Sequence, residues 1–600
     1  MSVDGQEGEQ FFFGHLCGCP LLETEQQFQW VTNWTSTAGN HTVKFGADLR
    51  YAQNLRVAST DSRTGSLIFL NSRTQGPSGG GLGLATFLLG DVSAFSRFAS
   101  STNNAGERQE RWFFYGQDTF RVNHRLVLNY GLRWEIYFPQ SVTGKGEGGW
   151  VDLDTGLVNV AGYGSVNLQG NVRNSFGAFA PRAGLSYEVS SRTVLRLGYG
   201  RSFDLGVFGS NFGHTATQNL PVLVAQQVNP SSYTGSAFNL STGPPAPQFV
   251  NVPPSGQFLL PDQVSAFVLP RQVRLPTVDA WNLTVQHQLS ANLSLSAAYV
   301  ANKGTHVFSG DSPSYDPNQA TIIGFGNLDT NQRRPFFHKF GWTQQLYYYG
   351  SDASNNYHSL QVSAEKRFSK GHQFLTHYTW SKALGYDPDY YAIDPKLNYG
   401  PANTDSRHLF VFSGLVALPF GKGGASGGSA RSLVNRIVSD WSLNGVLRWQ
   451  SGLPFSPSYA SCFIDRDTGP CRPNLVGDVH TTGNRNGYFT TTGGVLLQPN
   501  GFPGDTIGPW QRPASGTFGN ARRNSLRGPS FSQADISIAK SFWLQERTAL
   551  QFRTDVFNLF NKVNLGNPIS CVDCQTGGLI IGTSPNSLQR QIMFSLRLEF

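Results

Sequence analysis

Six cysteines carry the most reactive side chains of the sequence, and they fall into three short-range pairs. The pairs are Cys17 with Cys19, Cys462 with Cys471, and Cys571 with Cys574. A structural zinc site needs four ligands, and one CxxC segment supplies two. A thioredoxin-type redox motif belongs in a βαβ unit, whereas NPISCVDCQTGG lies among turn residues. Short spacing within loop-like segments therefore favours local disulfides, which form in oxidising compartments.

Other catalytic constellations are missing from the sequence. It contains no HExxH, no GxxxxGK[ST] and no GxGxxG between a strand and a helix. The segment GASGG (424–428) matches GxSxG, but it lies in a Gly/Ser-rich link without a strand-to-helix elbow. Four histidines lie on or beside predicted strands without metal-ligand spacing: His287, His358, His372 and His377. We therefore predict no enzyme, no metal and no cofactor.

Composition points to β structure with long loops. Charged residues make up 14% of the 600 residues, aromatic residues 13%, and there are 67 glycines. The net charge of +8 is spread along the chain, so no nucleic-acid-binding surface is predicted. No apolar run is long enough for a transmembrane helix.

The first residues lack a secretory signal, because the first basic residue is Lys44 and the apolar runs before it are short. A cytoplasmic address would conflict with the predicted disulfides. We therefore expect that the natural protein begins upstream of Met1.

Many segments of the sequence alternate strictly between apolar and polar side chains, and these segments are the predicted strands. HTVKFGADLRY and RLVLNYGLRWEIYF are two such segments, with Asp48, Arg50, Arg133 and Glu135 on their polar faces. Period two with one apolar face predicts half-buried antiparallel strands. A dry sandwich core would not tolerate the charged face, whereas the lumen of a transmembrane barrel does. Strands of roughly 10–14 residues also suit a tilted membrane crossing.

About fifteen such strands are predicted, and their connections alternate between tight and long. The strands lie near 25–36, 41–51, 110–122, 125–138, 179–189, 192–203, 279–290, 292–302, 354–368, 371–382, 405–418, 438–452, 531–543, 547–560 and 591–600. Short periplasmic turns opposite long extracellular loops are typical of an outer-membrane barrel. One link, 419–437, is long for a turn but falls on the short side. All three cysteine pairs fall on the long-loop side.

The final strand, QIMFSLRLEF, alternates up to the last residue. Its apolar face comprises Ile592, Phe594, Leu596, Leu598 and Phe600. An aromatic side chain at this end would anchor the periplasmic rim in lipid. The lumen side of the last two strands carries Arg553, Asp555, Arg597 and Glu599, which we interpret as ion pairs of the inner wall.

Several of these segments resemble TonB-dependent receptors, most closely the Oar-like set. The similar segments are FAPRAGLSYEVSSRTVLRLGYGRSFD (179–204), RWFFYGQDTFRVNHRLVLNYGLRWE (111–135), DWSLNGVLRWQSGLPF (440–455) and residues 518–568 with LQFRTDVFNLFN. The resemblance covers most strands between residues 25 and 600. It implies a barrel of about 22 strands in the outer membrane and uptake driven through the TonB complex. It also implies that the alternating terminus is a recognition signal for the barrel-assembly machinery.

The chain departs from that family in lacking a visible plug domain and TonB box. An odd strand count cannot close as a bacterial barrel, so we expect residues 1–600 to be the C-terminal part of a barrel missing about seven strands and the plug. The plug would provide the contact with TonB.

The ligand is left open among carbohydrate, peptide and metal chelate, and a surface adhesin or structural barrel is the alternative function. A TonB box upstream would favour transport. Aromatic side chains in the long loops would either stack on a ligand or pack within the loops: Tyr347, Tyr348, Tyr349, Tyr390 and Tyr391.

Overall fold

The computed structural model describes most of the chain. Its described residues leave out 1, 5–9, 13–22, 57–64, 77–80, 103–104, 205–214, 233, 309–313, 387–391, 419–438, 460–467, 490–505, 546 and 575. Cys17, Cys19, Cys462, Tyr390, Tyr391 and the GASGG segment therefore lie outside the described residues.

Within the described residues, fifteen long strands form the wall of the molecule. They are β1 (Glu23–Ala38), β2 (His41–Arg56), β3 (Ala105–Arg121), β4 (Leu126–Tyr137), β5 (Phe179–Ser190), β6 (Thr193–Phe203), β7 (Thr277–Ser290), β8 (Leu293–Val307), β9 (Ala353–Ser369), β10 (His372–Tyr386), β11 (His408–Ala417), β12 (Trp441–Gln450), β13 (Phe531–Gln545), β14 (Thr548–Phe557) and β15 (Gln591–Glu599). Each matches one predicted strand, because the two-residue alternation that predicted them also gives every strand one apolar face for lipid.

Each wall strand pairs antiparallel with the next one along the chain, from β1 to β15. Two short strands, Ser141–Val142 and Tyr399–Pro401, complete a 17-stranded sheet. The predicted all-β, antiparallel architecture is confirmed. The described helices, including the α-helices Gly83–Leu88 and Pro335–Phe340, are all short. None of them has the length and apolar character to cross a membrane.

The outer face of the sheet is a continuous apolar and aromatic surface. Trp34 and Phe45 lie opposite each other on β1 and β2, and both are exposed. Further along, the ring centroids of Phe114 and Trp134 lie 6.0 Å apart, and those of Trp134 and Phe179 lie 5.9 Å apart. Exposed aromatic rows of this kind are stable only against lipid, so this face is the membrane-contacting one.

The long connections fold into a layer of their own at the end of the wall opposite the tight turns. Residues from three connections share one apolar core around Trp342, Leu260 and Val224. The indole Nε1 of Trp342 donates to the carbonyl of Leu260 at 2.8 Å. A second core, around Trp510 and Phe489, joins the last two long connections. The described residues of these loops therefore pack into defined apolar cores.

The two ends of the wall differ from its middle. Among the described residues, no ladder joins β1 to β15, so each strand has one partner. Every residue of Gln591–Glu599 is exposed, and so are nearly all residues of Glu23–Ala38. Within the described part of the chain, the sheet therefore has two edge strands with no neighbour on one side.

Candidate ligand site on the inner wall

The inner faces of β2, β3 and β4 carry a cluster of paired charges around one aromatic ring, which we call the charged sector. Arg50 Nη2 lies 2.7 Å from Asp48 Oδ2, and Arg133 Nε lies 2.8 Å from Glu135 Oε1. The ring of Phe113, only 2% exposed, lies between them. The guanidinium carbons of Arg50 and Arg133 lie 5.3 Å and 4.5 Å from its centroid. The ring therefore contacts two cations, each with its own carboxylate.

Strand register brings this cluster together. Phe113 is directly opposite Asp48 on one side and Glu135 on the other. Residues directly opposite on antiparallel strands share a face, so all three point to the interior. Tyr137 adds an edge-to-face ring contact with Phe113 at 5.3 Å, and its hydroxyl donates to Glu135 Oε2 at 3.1 Å.

The inner faces of β7 to β10 form an uncharged sector. Among the described inward positions of these strands, charged side chains appear only near the tight turns, at Glu365 and Arg367. The other inward positions of these strands carry hydroxyls, amides, an imidazole and apolar groups. Ser359 Oγ, for example, donates to the Val300 carbonyl at 3.1 Å and accepts from Gln361 Nε2 at 3.1 Å.

A cavity of about 350 Å³ lies where the uncharged sector meets the loops, and we call it the amide pocket. Its polar lining comprises Asn302, Ser354, Asn355, Asn356, Tyr357, Tyr386, Asn403, Thr404 and Arg523. Val307, Phe308, Ala383, Leu384, Gly385 and Ala402 complete it. A Cβ on Gly304 would come within 2.2 Å of Asn355 Oδ1, so a glycine is needed there for Asn355 to sit as it does.

The arginine of the amide pocket, Arg523, donates hydrogen bonds to protein oxygens. Arg523 is 2% exposed. Its Nη1 donates to the carbonyls of Gly385 at 2.7 Å and Asn398 at 3.2 Å, and its Nη2 donates to Asn403 Oδ1 at 3.2 Å. Arg523 therefore ties the end of β10 to two loop segments.

A second cavity, of about 70 Å³, lies among the loops beside Arg111, Trp150 and Tyr349. Its volume suits a few water molecules, since one water occupies about 30 Å³ of liquid. Burial raises the pKa of the Tyr349 hydroxyl, which therefore stays protonated at any physiological pH. This cavity is too small for a nutrient-sized ligand.

The described tyrosines of the predicted loop set, Tyr347, Tyr348 and Tyr349, pack within the protein. Tyr347 and Tyr348 form a short strand parallel to Phe267–Val268. The rings of Tyr347 and Phe267 stack at 4.9 Å, and Tyr349 is buried.

The last two strands carry two ion pairs on one face and apolar side chains on the other. Arg553 pairs with Asp555 at 2.7 Å, and Arg597 Nε lies 3.4 Å from Glu599 Oε1. The register places all four on the same face. The opposite face carries Ile592, Phe594, Leu596 and Leu598, all exposed, and Phe600 is 97% exposed.

Two of the described cysteines form a local bond. Cys571 and Cys574 are joined by a disulfide with Cα atoms 5.5 Å apart. Cys471 is also disulfide-bonded. Cys571, Asp573 and Cys574 bring three metal-ligand side chains together in the described part of the chain. Metal binding needs free thiolates, and these two sulfurs are bonded to each other.

Sequence reasoning assigned Asp48, Arg50, Arg133 and Glu135 to the polar face but missed their meeting around Phe113. It also missed the amide pocket. The cluster around Phe113 could have been predicted from an aromatic residue at an inward position of β3, opposite two carboxylates. The amide pocket had no such signal in the sequence, because its residues come from three strands and three loops.

A membrane-facing apolar surface on a large antiparallel sheet with a polar interior defines a β-barrel protein of the bacterial outer membrane. The family model for the outer membrane beta barrel domain matches residues 1–593, and the chain belongs to that family. The protein therefore resides in the outer membrane.

Solved structures similar to this chain are outer-membrane receptors and transporters. The transporter YddB from Escherichia coli is 10% identical, with a TM-score of 0.46 over 97% of this chain and 55% of its own. The ferric-catecholate import receptor Fiu from E. coli K12 is 12% identical, with a TM-score of 0.41 over 97% and 55%. The ferric yersiniabactin uptake receptor FyuA from Yersinia pestis is 10% identical, with a TM-score of 0.39 over the same shares. This chain spans about half the length of these proteins. No curated protein matches it.

Proposed function

We propose that this protein imports a ligand across the outer membrane, as the barrel part of an Oar-like TonB-dependent receptor. The observation that carries the proposal is the amide pocket, which joins the polar inner wall to folded extracellular loops. A structural barrel needs no such cavity, whereas a transporter must hold its ligand between the outside and the lumen. The resemblance of residues 111–135, 179–204, 440–455 and 518–568 to that receptor family supplies the energy source, the TonB complex, contacted through a plug domain.

The test uses the bacterium that carries the gene. Mass spectrometry of spent medium compares the wild type, a deletion of this gene and a deletion of TonB. Energy-coupled uptake is supported by a medium component that wild-type cells deplete but both deletion strains do not. Wild-type cells treated with a protonophore should also fail to deplete it. Equal depletion by all three strains contradicts it.

The open edges support the further proposal that residues 1–600 are part of a larger barrel. Since neighbouring strands are antiparallel, β1 and β15 run in the same direction. They can close an antiparallel wall only through an odd number of additional strands, and about seven would give an even total of about 22.

This proposal is tested by cysteine cross-linking in outer membranes. Cysteines on the outer faces of β1 and β15, one on each strand, such as at Thr32 and Phe594, are joined by a reagent that spans one strand separation of about 5 Å. Pairs between β1 and β2, such as Thr32 with Ala47, are the positive control. Cross-links between β1 and β15 would mean that the fifteen strands close on themselves.

The exposed apolar face of β15 supports the proposal that the barrel-assembly machinery recognises this strand. Phe600→Ala, or a charged extension after Phe600, should sharply lower the folded amount in the outer membrane. Removing the ring costs only about 2–3 kcal/mol of apolar burial against lipid, which a large barrel survives. Arg597→Gln, on the other face of β15, is the control. Equal folded yield of all variants in heat-modifiable gel migration would show that the terminus is an ordinary strand end.

We also propose that Cys462 is the partner of Cys471, which is disulfide-bonded. Non-reducing peptide mapping of protein from outer membranes should yield the peptide that joins them. Recovery of these cysteines as free thiols would contradict the pairing.

A second candidate function, surface adhesion, is favoured by apolar side chains at the loop surface. Leu88, Ile323 and Ile581 are strongly exposed on the long connections. Adhesion predicts that deleting the gene lowers cell attachment while nutrient depletion stays unchanged.

A further inference from the structure

We propose that the amide pocket binds a neutral, hydroxyl-rich ligand, an uncharged oligosaccharide. The inference deepens the proposed uptake function by naming the ligand class. It rests on the charge balance of the pocket, on the hydrogen-bonding groups of Asn302, Asn355 and Tyr357, and on the aromatic surfaces of the lining.

The electrostatics of the pocket disfavour ionic ligands. Among the described residues that line it, Arg523 is the one charged side chain. Arg523 is only 2% exposed and donates to three protein oxygens, as described above, so little of its guanidinium reaches the cavity. A bound carboxylate or phosphate would be desolvated with only this largely covered guanidinium as a counter-charge, and a bound cation would find no carboxylate among the described lining residues. Anionic metal chelates are therefore poor ligands for this pocket.

The polar groups that remain suit hydroxyls. Asn302, Asn355 and Tyr357 lie on the inner sides of β8 and β9, at the loop end. Asn302 and Tyr357 are directly opposite each other in the register. An amide offers an acceptor and two donors, and a phenol offers one donor and an acceptor. Sugar hydroxyls both donate and accept, so each can pair with either kind of group.

The apolar part of the lining suits a sugar ring. Tyr386 packs on Tyr399 with ring centroids 5.1 Å apart. Phe308 and Leu384 add apolar surface to the same cavity. Aromatic rings with a polar tip combine apolar contact with hydrogen bonding, as a carbohydrate with an apolar ring face requires. The cavity volume of about 350 Å³ falls within the range of small-molecule sites.

The wall below the pocket continues the same chemistry. The inward residues of β8, β9 and β10 below it include Ser296, Gln361, Ser363 and Thr379. A neutral polyol leaving the pocket would therefore meet further hydroxyls and amides and no fixed charge until Glu365 and Arg367.

The test is calorimetric binding to the full-length receptor purified from outer membranes in detergent. The probes are neutral gluco-, xylo- and manno-oligosaccharides, oligogalacturonates as anionic counterparts, and a Gly/Ser peptide with blocked ends. We expect at least one neutral oligosaccharide to bind at millimolar concentration or below, and the oligogalacturonates to bind at least tenfold more weakly. Binding needs no energy source, so a failed uptake experiment leaves this result standing, and the reverse also holds.

Two variants test whether the ligand binds in the amide pocket. Tyr357→Phe removes one hydroxyl and Asn302→Ala removes one amide, and each should weaken binding about three- to tenfold. Tyr115→Phe is the matched control, because it makes the same change on the inner face of β3, where Tyr115 donates to Asn33 Oδ1. Heat-modifiable gel migration verifies that each variant is folded.

Four outcomes would overturn the inference. They are no binding by any neutral oligosaccharide, equal or stronger binding of the oligogalacturonates, binding of the blocked peptide alone, and unchanged affinity in both pocket variants.

Discussion

The charged sector and the uncharged sector are parts of one sheet, yet their inner faces are organised differently. In the charged sector two arginines are held by carboxylates and by the face of a buried ring. In the uncharged sector neutral groups make few and local contacts, such as those of Ser359. Paired charges with an aromatic between them fix side-chain positions, whereas lone amides and hydroxyls stay available to a ligand. We infer that the first sector stabilises the wall and the second serves binding.

The largest expected effect is the loss of the central ring of the charged sector. Phe113→Ala leaves a cavity between two arginines and should cost about 3–5 kcal/mol. The matched truncation in the other sector, Tyr357→Ala, should cost roughly 1–2 kcal/mol because that ring is only half-buried. The measurement is the temperature at which folded receptor in membranes loses its fast-migrating gel band. Equal shifts for both variants would remove the distinction between the sectors.

The charged sector shows which features of the fold the sequence predicts and which depend on the packing of distant segments. Alternation predicted all fifteen strands and the inward position of Arg50 and Arg133, because the two-residue period is a local property. It did not predict that Phe113 lies between Asp48 and Glu135, because strand register depends on pairing between separate segments. The sequence YGQDTF and its flanking aromatics also obscure which ring of Trp112, Phe113 and Phe114 points inwards.

The loops were less predictable for the same reason. Their apolar residues, such as Leu260 and Trp342, show no periodicity, and they meet in a core only because the wall brings three connections together. The amide pocket also depends on contacts between separate connections, since Arg523 must reach Gly385 and Asn398 from a distant part of the chain.

A smaller effect is expected when one ion pair of the charged sector is broken. Glu135→Gln keeps the shape of the side chain but leaves the guanidinium of Arg133 without its carboxylate. Because Arg133 retains some contact with solvent, the expected cost is about 1–3 kcal/mol, below that of a fully buried pair. The same thermal measurement on Glu135→Gln, Arg133→Gln and the double variant gives the coupling energy. Additive costs would show that the two side chains act independently.

The smallest effect is expected for a neutral group of the uncharged sector. Ser359 is buried, and its hydroxyl donates to the Val300 carbonyl and accepts from Gln361. Ser359→Ala removes both neutral hydrogen bonds. Because the partly hydrated amide of Gln361 can turn to water, the expected cost is only about 0.5–1.5 kcal/mol, at the edge of what the thermal measurement resolves. Gln361→Ala removes the other partner and should cost no more, because that side chain is partly hydrated. If Ser359→Ala proved as damaging as Glu135→Gln, hydrogen bonds of the uncharged sector would be structural. The sector would then have less freedom to exchange them for ligand hydroxyls, and the contrast with the charged sector would not hold.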